Sequence, residues 1–184
     1  KVSCKADFYN LAKGETMSGS QETLAGQFIE HTIDVMLNQS YLRILKCLGE
    51  LNDDEIWRRP NENLASVGNL ILHLCGNIRQ WIIAGIGGAP DKRERWKEFD
   101  EKGPLPKSEL ISKLDATLQE AADVMRNADP NKLADARTVQ GENTTGVGII
   151  VHVCEHFSYH TGQISLHTKL LKNIDLGYYA ERDL

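Results

Sequence analysis

Val151-His152-Val153-Cys154-Glu155-His156-Phe157-Ser158-Tyr159-His160-Thr161-Gly162-Gln163-Ile164 sets three of the chain's six histidines at four-residue intervals. In a helix, residues four apart sit one turn above each other, roughly 6 Å along the axis. Neutral imidazoles at that spacing offer two ligands to one cation, and a third has to come from another element. His73, in a second apolar segment, is a candidate for it. The pattern predicts a metal site between packed helices before it predicts any reaction.

Around this run, apolar residues recur at three- and four-residue steps, the period of a helix with one buried face. The last helix is expected from Thr145 to about Leu171, with Ile149, Val153, Phe157, Ile164 and Leu171 on one stripe and Asn173 loosening its end. Three others precede it. The first runs from about Glu22 to Leu48; the second follows a capping Ser66 and lasts until Gly85, Gly87 and Gly88; the third starts near Ser108, behind Pro104 and Pro106, and stops before Pro130.

None of the three links reads as a strand pair. Residues 49 to 65 carry turn chemistry in Asn52-Asp53-Asp54 and Arg59-Pro60-Asn61. Residues 86 to 107 hold three prolines and the charged run Asp91-Lys92-Arg93-Glu94-Arg95, which reads as a solvated loop. Fully extended, that link spans roughly 65 Å, against ~30 Å for a twenty-residue helix. It can therefore cross the molecule and leave helices two and three running the same way. The predicted fold is all-α, a four-helix bundle with a long crossover between helices two and three.

At 184 residues the chain predicts one domain. The polar opening, with Met17 read as a start, predicts an N-terminal extension or arm over residues 1–20 and a bundle over 21–184. A net charge of -5 and a pI near 5.7 argue against a nucleic-acid partner. Cys4, Cys47, Cys75 and Cys154 are widely spaced with no CxxC pair, which suits a reducing, cytoplasmic location. No stretch reaches 18 apolar residues and no basic-then-apolar leader opens the chain, so neither a membrane span nor a signal peptide is expected.

Either His152 with His156 or His156 with His160 has the right spacing. On a helical wheel the apolar stripe of the last helix centres roughly 25° from His160, 65° from His156 and 105° from His152, favouring the later pair. The same wheel on the second helix leaves His73 at the flank of its stripe, with Asn77 nearer the middle. Three imidazoles leave coordination positions for water or substrate, as catalytic sites do. Cys75 and Cys154 point about 200° away from the histidines two residues before them and read as core thiols. Glu155 projects about 100° from His156, and no HExxH order is present. His31 and His167 read as ordinary residues. Gly76 and Gly162 each cost a helix about 1 kcal/mol against alanine, which close approach or ligand access would explain.

Ser66-Val67-Gly68-Asn69-Leu70-Ile71-Leu72-His73-Leu74 together with Glu155-His156-Phe157-Ser158-Tyr159-His160-Thr161-Gly162-Gln163-Ile164 resembles the DinB/YfiT-like superfamily of metalloenzymes. The likeness extends through Ile56-Trp57-Arg58-Arg59-Pro60 and Asp91 to Phe99, and covers about residues 22 to 172. It implies an up-down-down-up course, a homodimer, and one divalent metal held by His73, His156 and His160. Zinc or nickel is the usual ion, and three imidazoles do not discriminate these from iron or manganese. His152 and Gln163 are then neighbours of the ligands, candidates for hydrogen bonding, proton transfer or holding a bound water. Relatives with assigned activity are thiol S-transferases and a thiol-dependent isomerase. The resemblance thus implies a small-molecule substrate and a low-molecular-weight thiol activated as its thiolate. Metal-assisted hydrolysis, or a noncatalytic metal-binding bundle in a stress response, are the alternatives.

Overall fold

The computed structural model describes residues 23–103 and 105–180, so the expected arm at 1–20 lies outside the described residues. The chain is mostly helical: α1 Leu24–Asp34, α2 Leu42–Glu50, α3 Asp53–Trp57, α4 Val67–Ile78, α5 Arg95–Asp100, α6 Lys107–Arg126 and α7 Gly146–Lys172. A wider π segment, Val35–Tyr41, carries α1 into α2, and a second, Arg79–Ala84, extends α4. The four long helical stretches expected from periodicity are all present.

Their ends follow from side chains that satisfy free backbone groups. Ser66 Oγ accepts the Asn69 N–H at 3.1 Å while Asn69 Oδ1 accepts the Ser66 N–H at 3.2 Å, a reciprocal box that starts α4. Thr145 Oγ1 accepts the Gly148 N–H and starts α7, which ends at Asn173 in the left-handed conformation with φ 53°. Lys107 Nζ donates to the carbonyls of Leu48 and Leu51 at the end of α2, tying the start of α6 to it.

One expectation is corrected. The link between α6 and α7 forms a strand pair, β1 Ala136–Val139 and β2 Glu142–Thr145, antiparallel with Val139 opposite Glu142. Gln140 and Gly141 make the two-residue turn with φ 55° and 81°, the left-handed pair that matches hairpin twist. The strands escape pattern reading because they are four residues long and only Val139 among them is buried, without alternation of apolar and polar residues.

The core runs between α2, α4, α6 and α7, filled by Ile44, Leu48, Ile71, Leu74, Ile78, Leu114 and Phe157. α4 is buried on nearly every side, packed against α3, α5, α6 and α7. A helix covered all round has no single apolar stripe, and that is why the wheel gave His73 no clear orientation.

The long link is structured rather than solvated. Its α5 lies on α4, where the buried Asn69 Nδ2 donates to the carbonyls of Glu98 and Glu101 at 2.9 and 2.7 Å. Arg59 donates both to Asn69 Oδ1 and to the Phe99 carbonyl. Trp57 Nε1 donates to the Leu105 carbonyl at 3.0 Å, its ring lying over the bare Cα positions of Gly68 and Gly103.

Candidate metal centre

His73 projects from α4 and His156 and His160 from α7, and their ring nitrogens meet. His156 Nε2 lies 3.1 Å from His73 Nε2 and 3.2 Å from His160 Nε2. One nitrogen from each ring falls within 4.8 Å of the others, a group that could hold a metal ion. Nitrogens bound tetrahedrally at ~2.0–2.1 Å from an ion sit roughly 3.3 Å apart, so the spacing fits one.

Two of the three rings have their proton placed elsewhere. His73 Nδ1 donates to Glu98 Oε2 at 2.8 Å and His160 Nδ1 donates to Gln163 Oε1 at 2.6 Å. A neutral imidazole protonated at Nδ1 keeps a lone pair at Nε2, so both rings turn lone pairs toward the same point. His156 lies between them with its own Nδ1 buried and unpartnered among the described residues. Burial first, then the neighbouring His160, His73, His152 and Arg93, push its pKa down to about 3, and burial lowers that of His160 against the Gln163 hydrogen bond. Rings whose lone pairs converge fit a cation better than they fit each other.

Glu98 and Arg93 are the residues that sequence reading missed. Arg93 Nε donates to Glu98 Oε1 at 2.7 Å and its Nη2 to Oε2 at 2.9 Å, with the two side chains only 4% and 10% exposed. Arg93 Nη1 also donates to Gln80 Oε1. Arg93 Nη2 lies 3.1 Å from His73 Nδ1 as well, but both are donors and both are directed at Glu98. Burial tends to raise the Glu98 pKa, yet hydrogen bonds from Arg93 and His73 hold it below the ordinary carboxylate value. The signal for this clamp was Gly76, one turn beyond His73: a Cβ there would run into the Glu98 carboxylate.

The other expected neighbours are placed as follows. Gln163 bonds His160 directly. His152 lies outside the three-nitrogen group, stacked on Trp81 with centroids 4.0 Å apart and within 3.4 Å of Asn77 Nδ2. Cys75 is buried, and burial pushes its thiol up to about 11. Gly162 has open space where a Cβ would stand, so close approach within the chain does not account for it. His160 and Gln163 border an open cleft of about 350 Å³.

The family described as protein of unknown function, DUF1572, matches residues 24–179, which spans all of these elements. The chain belongs to the DUF1572 family. No protein of curated function matches it by sequence. Its fold is similar to the crystal structure of a conserved protein from Enterococcus faecalis, at a TM-score of 0.66 and 18% identity, over 80% of this chain and 97% of that one. It is similar also to a DinB-like protein from Bacillus cereus ATCC 10987, at a TM-score of 0.62 and 14% identity, over 83% of this chain and 95% of that one. These likenesses show a fold shared with a DinB-like protein. Among the described residues of this DUF1572 member no helix is long and apolar enough to cross a membrane.

Proposed function

We propose that this DUF1572 protein is a metal-dependent enzyme in which His73, His156 and His160 hold one divalent ion, zinc or nickel, and in which a thiol is transferred to an electrophilic small molecule. The observation that carries the reading is the pair of fixed tautomers: Glu98 and Gln163 each take an Nδ1 proton, leaving Nε2 lone pairs facing His156. Three protein ligands leave room for a reactant, and the cleft beside His160 gives access to it. A bound divalent ion would lower the pKa of a thiol and present it as thiolate at neutral pH. The chain's own part is to hold His156 and His160 neutral, fix the rings of His73 and His160 through Glu98 and Gln163, and admit the electrophile beside His160.

The same reading takes the four long helical stretches as an up-down-down-up bundle over 21–184 preceded by an arm, with the 86–107 link as the crossover. It takes the working form as a cytoplasmic homodimer.

Metal analysis of protein purified without added metal tests the first part, with about one equivalent of zinc or nickel expected. His160→Ala should lose the metal while keeping its helical circular dichroism. Absence of metal above background in the unaltered protein would refute the proposal. Turnover of an electrophile with water but not with added thiol would replace transfer by hydrolysis.

A further inference from the structure

We infer that the cleft beside His160 binds a small uncharged molecule by its apolar body, with His167 forming one hydrogen bond to it. At about 350 Å³ the cleft is at the small end of ligand pockets. Leu64, Leu70, Phe99, Leu166 and Leu170 supply its walls. His160 and Gln163 border it, and Phe99 packs on the His73 ring with centroids 4.9 Å apart, so the cleft is continuous with the three-histidine centre.

Charge decides the class of ligand. Among the described residues, no aspartate, glutamate, lysine or arginine lines the cleft. An ion entering it would shed water and meet no counter-charge, a cost that an uncharged ligand avoids. The charged pair nearest the histidines, Arg93 and Glu98, is committed to itself and to His73 and stands outside the lining. The larger hollow of about 460 Å³, by contrast, is walled by Glu120, Asp123, Asp129, Lys132 and Arg137 and touches none of the three histidines.

His167 is the second, independent observation. It lines the cleft and is only 8% exposed, yet its Nδ1 is buried with no partner and its ring makes no hydrogen bond to any described residue. Buried polar groups in folded proteins are nearly always paired. Nδ1 is closed off from the cleft, so the nitrogen left for a ligand is Nε2, which has no partner among the described residues and is not buried. Leu166 and Leu170 at the rim are 57% and 70% exposed, so the route in from solvent is open.

This inference rests on the metal reading only for where the reacting group lies; the preference for an uncharged ligand belongs to the cleft walls and is read in metal-free protein, because a divalent ion at His160 would supply the counter-charge the walls lack. The probes are 4-nitrobenzyl alcohol, 4-nitrobenzoate and 4-nitrotoluene, titrated into metal-free and zinc-treated protein and followed by leucine methyl NMR. In metal-free protein the alcohol should shift Leu166 and Leu170 and bind at least about tenfold tighter than the benzoate. Leu166→Arg, at an exposed position, should weaken the alcohol and favour the benzoate. His167→Phe should weaken the alcohol several-fold and leave nitrotoluene unchanged. Benzoate binding as tight as the alcohol, alcohol shifts that survive Leu166→Arg, or equal losses for alcohol and nitrotoluene in His167→Phe would overturn the inference. Metal uptake without alcohol selectivity in the metal-free protein would refute this inference alone; selectivity without uptake of zinc or nickel would refute the metal reading alone.

Discussion

Glu98 rests its carboxylate against the bare Cα of Gly76, so the helix that carries His73 also carries the gap through which its partner reaches it. Gly76→Ala gains about 1 kcal/mol of helix propensity but overpacks a buried ion pair at a cost of roughly 1–3 kcal/mol. The expected result is a net loss of stability in urea titrations, together with metal binding weakened roughly 10- to 100-fold as Glu98 leaves His73 Nδ1. An alanine variant more stable than the parent, with unchanged metal affinity, would show that the carboxylate can sit elsewhere.

Removing the charge of Glu98 should hurt more than removing the pair. Glu98→Gln leaves Arg93, whose side chain is 4% exposed, without a counter-charge, at a cost of about 3–5 kcal/mol. A double variant, Arg93→Met with Glu98→Leu, should recover most of that stability and still bind metal poorly. Chemical denaturation read beside metal titration separates the two roles. If the double variant binds metal like the parent, the carboxylate has no part in directing His73.

Burial holds the His167 imidazole below its ordinary 6.5. The fold accepts the neutral ring, and the unfolded chain takes up a proton as pH falls past 6.5. Stability from this residue is therefore complete above 6.5 and declines below it, by up to about 1.4 kcal/mol per pH unit. In metal-free protein, His167→Phe should flatten the fall in unfolding free energy between pH 6.5 and 5. An unchanged slope would mean that the ring protonates as freely in the fold as outside it.

The hairpin offers a gain rather than a loss. Gln140 holds φ at 55°, a conformation that asparagine tolerates better, and it precedes a glycine. Gln140→Asn should stabilise the protein by about 0.5 kcal/mol, seen as a higher melting temperature with no change in metal content.

What could be read in the sequence followed its local rules. Ser66 and Thr145 announced their helices because capping needs only neighbours three residues on, and Asn173 did the same at the far end of α7. On α7, with one buried face, the wheel set His160 nearest the apolar stripe, and His160 is the buried one of the three, His152 and His156 being half-buried. Arg93 and Glu98 stayed hidden because a charged pair is buried only by its tertiary partners, and in the chain the two look like any solvated run. The strands beside Gln140 stayed hidden because eight residues with a single buried side chain carry no periodic signal.

Asn69 and His73 stand four residues apart on α4, and each grips α5: Asn69 by the main-chain carbonyls of Glu98 and Glu101, His73 by the Glu98 side chain. The two holds share one register. A residue inserted or deleted between Arg93 and Glu98 would break the spacing of the ion pair, and one between Glu98 and Glu101 the double hold of Asn69, whereas length changes outside that interval meet neither. Drift in this link should therefore collect at its ends, leaving a block of fixed length in the middle of an otherwise variable connection.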